Sequence, residues 1–164
     1  MTIKELIKKI EQWAIDRGLD KNGTVEGQLI KTAEEVAELI IGISKDDIDV
    51  IKDSIGDVFV TLVIGNMLDK RFDMYKLMES FDKRSFMEPK RVIDMVWFHI
   101  DCLSPLLKYE AYSQQETWKL IECLMDVCDW YELDFIDCVE SAYREIADRK
   151  GVVIDGTFLK ESDL

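Results

Sequence analysis

Proline, glycine and histidine are scarce in this chain, and each shortage excludes a class of protein. Two prolines and eight glycines among 164 residues leave little room for collagen-like or disordered segments. The single histidine, His99, cannot supply the Glu-x-x-His pairs of a di-iron carboxylate bundle, and Val96 stands three residues before it. The shortage of helix-breaking residues favours a compact helical protein.

Long apolar runs and closely spaced cysteine pairs are also missing. No stretch approaches the roughly 20 apolar residues that cross a membrane. The first helix carries charges where a signal peptide would be apolar, so we expect no signal peptide. Without a Cys-x-x-Cys pair, we expect the cysteines to be reduced and buried: Cys102, Cys123, Cys128 and Cys138. These features predict a cytoplasmic protein without membrane contact.

Acidic residues outnumber basic ones by 34 to 21, which gives a net charge of −13. Direct binding to nucleic acid requires patches of Lys and Arg that contact phosphates, and neither half of the chain is basic. An acidic protein can still bind a nucleotide where a metal ion reverses the local charge. We therefore expect no direct nucleic-acid binding.

Apolar residues recur with helical periodicity through most of the chain. The pattern predicts an all-α bundle of about five to six helices in a single domain over residues 1–164. The predicted long helices span roughly 3–17, 24–42, 44–68, 89–108, 113–128 and 134–150, with a short helix over 74–81 and an extended tail. Thr24 is a predicted N-cap, Ser44 and Ser113 begin predicted capping boxes, and Pro89 suits a first helical position.

Carboxylates cluster at helical spacing in two of these segments. On one helix, residues three or four apart share a face, with Glu34 at its edge: Gln28, Lys31, Glu35 and Glu38. On the next, Asp57 lies among apolar residues, where a lone carboxylate costs several kcal/mol of desolvation. A Mg²⁺ ion between the two helices would compensate this cost, so the pattern predicts a metal-dependent enzyme that acts on phosphates. Solvated helix faces and the first turns of helices also carry acids without any function, and that alternative stays open.

Three segments resemble the MazG-type all-α nucleoside triphosphate pyrophosphohydrolases. They are Trp13-x-x-x-Arg17-Gly-Leu, Gln28-Leu-Ile-Lys31-x-x-Glu34-Glu35-x-x-Glu38-Leu and Ile55-Gly-Asp57-Val. The resemblance covers residues 3–67 and returns in residues 140–151 and 156–160. Residues 70–115 have no part in it, and we interpret them as an insertion or an elaborated oligomerisation region.

The resemblance implies hydrolysis of a (deoxy)nucleoside triphosphate to the monophosphate and pyrophosphate, with Mg²⁺ or Mn²⁺ as cofactor. The catalytic residues it implies are Glu34, Glu35, Glu38 and Asp57, and the metal ligands are Glu35, Glu38, Asp57 and Asp53. The substrate contacts it implies are Trp13, Gln28, Lys31, Arg149, Lys150 and Lys160. It also implies a homodimer or homotetramer. Two alternatives stay open. Trp13 can be a core residue, and Arg149, Lys150 and Lys160 can be basic residues favoured at a helix C-terminus by the helix dipole.

One departure from the family pattern separates the functional hypotheses. The family has Glu-x-x-Asp in its second motif, whereas Ser54 stands here at the position of the glutamate, beside Asp53. The chain is therefore either an active enzyme or a catalytically weak or inactive nucleotide-binding or regulatory relative. A third hypothesis is an acidic mimic of nucleic acid, which would spread its acids over the exterior and would not need Asp57 inside an apolar turn.

Overall fold

The structure is a computed structural model that describes residues 1–83 and 88–163. These residues confirm the predicted all-α bundle. They form eight α-helices and one two-stranded sheet: α1 (Ile3–Asp16), α2 (Leu19–Asn22), α3 (Val25–Lys45), α4 (Ile48–Asp69), α5 (Met74–Glu79), α6 (Val92–Tyr109), α7 (Gln114–Trp130), α8 (Phe135–Ala147), β1 (Gly151–Ile154) and β2 (Thr157–Lys160). Short 3₁₀ turns follow α5 and β2, at Ser80–Lys83 and Glu161–Asp163.

Side-chain caps begin most of the long helices. The hydroxyl of Thr24 accepts a hydrogen bond from the Gly27 amide at 3.0 Å, and that of Ser113 accepts one from the Glu116 amide at 3.3 Å. Both residues are N-caps, as the sequence predicts. The local sequence therefore determines where α3 and α7 begin.

Two predicted helix starts were wrong. α3 continues through Ser44 to Lys45 and ends at Asp46, whose φ of 53° is left-handed, so Asp47 rather than Ser44 is the N-cap of α4. α6 begins at Val92 rather than at Pro89, because the Arg91 amide donates to the carboxylate of Asp94 at 3.0 Å and so defines a later first turn.

α4 is the central helix of the bundle. It packs against α3, α8, α1 and α7, and its residues from Ile51 to Asn66 are almost all buried. α6 and α7 form a neighbouring antiparallel layer that packs against α3 and α4. Apolar side chains from α1 and from α3 to α8 join in one continuous core. An all-round apolar sequence such as that of α4 is typical of a helix surrounded by others.

The C-terminal tail forms an antiparallel hairpin, with Val152 opposite Leu159. Its turn residues, Asp155 and Gly156, both have positive φ, as the tight turns that join hairpin strands require. The Thr24 amide donates to the Gly156 carbonyl at 3.0 Å, which docks the turn on the start of α3. The hairpin therefore lies beside the helix that carries most of the predicted site.

The four cysteines are free and buried, as the sequence predicts. The Sγ atoms of Cys102 and Cys123 lie 3.7 Å apart between α6 and α7. Among the described helices, none combines the length and the apolar composition that crossing a membrane requires.

Candidate metal and phosphate site

The acidic faces of α3 and α4 meet where these two antiparallel helices pack together. Asp57 is partly buried at this contact, and burial, with the nearby charges of Glu35 and Asp53, raises the pKa of its carboxyl to about 7. Burial also raises the pKa of Glu35, and the charge of Glu38 adds to that rise. The structure therefore places Glu35, Glu38, Asp53 and Asp57 close enough to repel one another, and we call these four residues the carboxylate cluster.

A shallow depression of about 450 Å³ opens beside the carboxylate cluster. Glu38 and Asp53 line it from α3 and α4, and Ser141 contributes from α8. Partial burial raises the pKa of the Asp53 carboxyl. The depression leaves one side of the cluster accessible to solvent, as a site for a small ligand requires.

Glu145 of α8 brings a fifth carboxylate to the cluster, and the sequence did not single it out. Its charge raises the pKa of both Asp53 and Asp57. α8 approaches α4 this closely because Gly56 has no side chain, since a Cβ there would lie 2.4 Å from the Cys138 carbonyl oxygen. The resemblance includes the α8 segment and implies that Arg149, just after it, contacts the substrate, but it assigns no role to Glu145.

The structure places the basic residue Arg149 beside the carboxylates, and Lys52 lines the depression with Glu38 and Asp53. Nη2 of Arg149 donates to Oε1 of Glu145 at 2.5 Å. The charge of Arg149 also opposes the rise in the pKa of Asp53 and of Asp57. A guanidinium at this edge is suited to contact phosphate oxygens that approach the cluster.

The other predicted basic residues take different positions. Lys31 of α3 pairs with Glu34 at 2.5 Å, and both Lys31 and Lys160 of β2 lower the pKa of Glu35 against the effect of burial. Glu34 is exposed on the outer face of α3. Lys150 is exposed beside the hairpin, where its carbonyl accepts a hydrogen bond from the Glu161 amide at 2.9 Å. Lys31 and Lys160 therefore belong to the surroundings of the cluster, whereas the contact of Lys150 is one of its backbone.

Trp13 and Arg17 of α1 hold the segment that carries Arg149. The indole Nε1 of Trp13 donates to the Ile146 carbonyl at 2.6 Å, and Nε of Arg17 donates to the Arg149 carbonyl at 2.7 Å. The ring of Phe158 in β2 packs edge-on against Trp13, with centroids 5.2 Å apart. In this structure Trp13 is a buried residue that positions α8 and the hairpin, which agrees with the core alternative for it.

Gln28 and Ser54 are also buried. Gln28 is 7% exposed, and its Nε2 donates to the Thr61 carbonyl at 3.3 Å, so its amide connects α3 to α4. Ser54 is 2% exposed and borders the depression at the position where the family pattern has glutamate. Asp53 is the neighbouring carboxylate that also lines the depression.

The chemistry of the cluster suits a hard divalent cation. Carboxylate oxygens are the ligands that Mg²⁺ and Mn²⁺ prefer, and a cation would relieve the repulsion that raises the pKa of Glu35 and Asp57. Within residues 1–83 and 88–163, however, no three Asp, Glu, His or Cys side chains are already arranged as a metal site. The donor types fit Mg²⁺, and binding requires the side chains on α3 and α4 to turn toward a common point.

Comparison with known proteins found similarity to a phage protein. The chain is 55% identical over 62 residues to a protein of Haemophilus phage HP1 (strain HP1c1) described as an uncharacterized 18.2 kDa protein in the rep-hol intergenic region. The matched stretch spans 38% of this chain and 38% of the phage protein. No family model matches the chain. No solved structure matches it either.

Proposed function

We propose that this protein is a Mg²⁺-dependent hydrolase that converts (deoxy)nucleoside triphosphates to the monophosphate and pyrophosphate. The observation that carries the proposal is the carboxylate cluster at the contact of α3 and α4, open on one side and bordered by Arg149. The MazG-type resemblance supports the same reaction. The proposal includes a cytoplasmic homo-oligomer that binds nucleoside triphosphates through the metal and does not bind nucleic acid directly.

The carboxylate cluster explains why a metal is part of the proposal. Asp57 and Glu35 are partly buried and carry like charges. Their repulsion lowers the stability of the metal-free chain, and a bound cation would relieve it. Glu35, Glu38 and Asp57 would hold Mg²⁺ or Mn²⁺, and Asp53 would remain free to act on water. When bound, such an ion neutralises triphosphate oxygens and polarises the attacked phosphorus.

The protein's own side chains orient water and phosphate. The reaction consumes one water and breaks the anhydride bond between the α- and β-phosphates, and the proton of the water passes to a carboxylate. Asp53 is the proposed acceptor because it lines the depression, whereas Glu34 is paired with Lys31 on the outer face of α3. Arg149 at the edge of the cluster would bind the phosphate oxygens and hold the triphosphate in place.

The experiment that tests the proposal is pyrophosphate release from a panel of ribo- and deoxyribonucleoside triphosphates, with Mg²⁺, with Mn²⁺ and with EDTA. Glu38→Gln removes one charge of the cluster and preserves shape, and we expect it to lower release at least ~100-fold. Glu26→Gln is the matched control, since Glu26 is exposed on the first turn of the same helix. Equal loss in both variants, or release that persists in EDTA, would contradict the proposal.

The burial of Ser54 supports a second candidate, a nucleotide-binding relative with little or no activity. A neutral hydroxyl replaces an anionic ligand, and the described residues hold no ready-made metal site. This candidate predicts that a folded protein binds Mg²⁺–nucleotide in calorimetry but releases no pyrophosphate. Under the same candidate, Ser54→Glu would raise metal affinity, whereas the control Ser141→Glu, on the α8 side of the depression, would not.

A further inference from the structure

α6 presents apolar side chains on two opposite faces. One face joins the core through Met95, Cys102 and Leu106, which are at most 1% exposed. The other carries five residues spaced four, three, four and three apart, which we call the outer stripe: Ile93, Trp97, Ile100, Ser104 and Leu107. Ile93 is 58% exposed and Trp97 is 56% exposed. A helix that is apolar on both sides is normally buried on both sides, and the chain covers only one.

The spacing of the outer stripe is that of a helix which pairs with another helix. Apolar residues alternating at four and three form the seam of a coiled coil, in which each side chain inserts between those of a facing helix. A depression of about 420 Å³ lies along this seam, lined by Ile100, Leu103, Ser104, Leu107 and Lys108. Single exposed apolar residues need no explanation, but a continuous stripe beside a groove is typical of an interface.

We propose that the outer stripe binds the outer stripe of a second copy, with the two α6 helices antiparallel and related by a two-fold axis that passes between the stripes at the level of residue 102. In this register Trp97 lies opposite Leu107 of the second copy, and Ile100 lies opposite Ser104. The large side chains of one copy therefore meet the depression of the other. A two-fold interface uses the same patch on both copies, as this stripe does.

Charge complementarity and the overlap of the two stripes together favour this register over its neighbours. Asp94 and Lys108 flank the stripe on the same side, and the antiparallel arrangement places Asp94 of each copy beside Lys108 of the other. The Asp94 carboxylate already accepts hydrogen bonds from the Lys90 amide and from the amide and guanidinium of Arg91, so Lys108 of the other copy acts on it through charge rather than through a new hydrogen bond. A shift by one heptad toward the N-terminus of α6 would place Asp94 beside Asp101, so like charges oppose it. A shift by one heptad the other way would pair Asp101 with Lys108, but it would leave only Ser104 and Leu107 of the outer stripe in contact.

The length of the stripe and one unfavourable pair limit the affinity. From residue 93 to residue 107 a helix extends about 21 Å, which is short for a permanent dimer. Near the two-fold axis, Asp101 of one copy lies beside Asp101 of the other. The repulsion between these two carboxylates weakens the contact. We therefore expect an equilibrium between monomer and dimer at micromolar concentrations. This proposal does not depend on the proposed hydrolysis.

Sedimentation velocity of the full chain tests the surface. We expect the sedimentation coefficient to rise from the monomer to the dimer value between about 1 µM and about 300 µM. Ile100→Glu should keep the protein monomeric across this range. Ile41→Glu is the matched control, because Ile41 on α3 is 49% exposed and Ile100 is 48% exposed. A wild type that stays monomeric, or equal dissociation by both variants, would overturn the proposal.

Cross-linking tests the orientation without weakening the apolar stripe. Asp101→Cys places a thiol near the two-fold axis, where oxidation by oxidised glutathione should join two copies through a disulfide and yield two molecules of reduced glutathione. Lys108→Cys lies away from the axis and should form little dimer. Similar cross-linking of both variants would show a parallel pair, and no cross-linking of Asp101→Cys would exclude this register. Circular dichroism of each variant verifies that it is folded.

Discussion

α4 and α6 both depart from the usual rule that charges face water and apolar side chains face the core, but in opposite directions. α4 is buried almost throughout, yet it holds Asp57 among apolar residues, and burial raises the pKa of that carboxyl. α6 does the reverse, since its outer stripe exposes Trp97 to solvent. Each departure lowers the stability of the isolated chain. In our proposals a component from outside the chain relieves each one, a cation at α4 and a second copy at α6.

Tyr112, in the segment that follows α6, is fully buried and connects that segment to α3 and α4. Its hydroxyl lies 2.8 Å from that of Thr32 on α3, and its amide donates to the Asp69 carboxylate at the end of α4 at 2.7 Å. α4 and α6 therefore present two surfaces of one packed core, and a substitution at either surface can be distinguished from one at Tyr112.

The largest expected effect comes from Asp57→Asn, which removes the buried charge. We expect pyrophosphate release to fall by about 10³-fold, while the metal-free fold gains roughly 2 to 4 kcal/mol at pH 8. The folded wild type binds the Asp57 proton more tightly than the unfolded chain does, so its stability falls as the pH rises from 3.8 to about 7. Urea unfolding in EDTA at pH 5 and pH 8 measures this difference.

Glu26→Gln again provides the control for Asp57→Asn. Its stability should differ from that of the wild type by less than ~0.5 kcal/mol at both pH values, because Glu26 is exposed. Adding Mg²⁺ should raise the melting temperature of the wild type and of Glu26→Gln, but not that of Asp57→Asn. If Asp57→Asn were less stable than the wild type in EDTA at pH 8, the carboxylate would be part of a satisfied network rather than of a metal site.

The second effect concerns the packing of α4 against Tyr112. Gly65→Ala should destabilise the fold by about 3 kcal/mol, because a Cβ there would lie 2.1 Å from Cζ of Tyr112, whose ring is held at both ends. Tyr112→Phe is the companion variant, and it should cost only about 1 kcal/mol through loss of the hydrogen bond to Thr32. Denaturant midpoints compare the two, and a smaller cost for Gly65→Ala would mean that α4 can move away from the ring.

The sequence predicted most of the fold because the helices have regular apolar periodicity and local caps. Thr24 and Ser113 act within their own helices, so their sequence context was sufficient. The errors at Ser44 and Pro89 arose because left-handed Asp46 and the Asp94 carboxylate moved the helix boundaries by a few residues. Local patterns identify helices more reliably than they identify where each helix begins.

The candidate site was predictable only in part. The acids of α3 and α4 follow from helical spacing, since neighbouring antiparallel helices bring their faces together. Glu145 was missed because its position depends on the close approach of α8 at Gly56, which involves residues far apart in the chain. The role of Trp13 was left open for the same reason, because its partner is the carbonyl of Ile146.

The third effect is the pH dependence of stability that His99, a buried polar residue on α6, produces. It differs from the pH dependence that the partly buried Asp57 carboxyl on α4 produces. His99 is 1% exposed, its Nδ1 contacts the Met95 carbonyl, and its Nε2 has no hydrogen-bond partner among the described residues. Burial lowers the pKa of His99, so the unfolded chain takes up the proton first as the pH falls. Below about pH 6.5 the stability should therefore fall by up to about 1.4 kcal/mol per pH unit.

The comparison of His99→Met with the wild type isolates the contribution of His99 to the pH dependence of stability, because the carboxylates titrate in both proteins. We expect the difference in unfolding free energy to change between pH 7 and pH 5, with the variant losing less stability. The effect of His99 on stability is opposite in sign to that of Asp57, which lowers the free energy of unfolding as the pH rises. Parallel curves for wild type and variant would show that His99 is protonated, or solvated, in the folded protein.

The smallest expected effect concerns the repulsion between the two copies of Asp101 in the proposed dimer. Asp101→Asn removes the like charges near the two-fold axis, so it should tighten dimerisation by about two- to five-fold, most clearly at low salt. Asp129→Asn, on the exposed end of α7, is the control and should leave the dissociation constant unchanged. A tightening that disappears at high salt would identify the effect as electrostatic. Equal behaviour of both variants at low salt would place Asp101 away from the axis and would exclude the antiparallel register of the outer stripe.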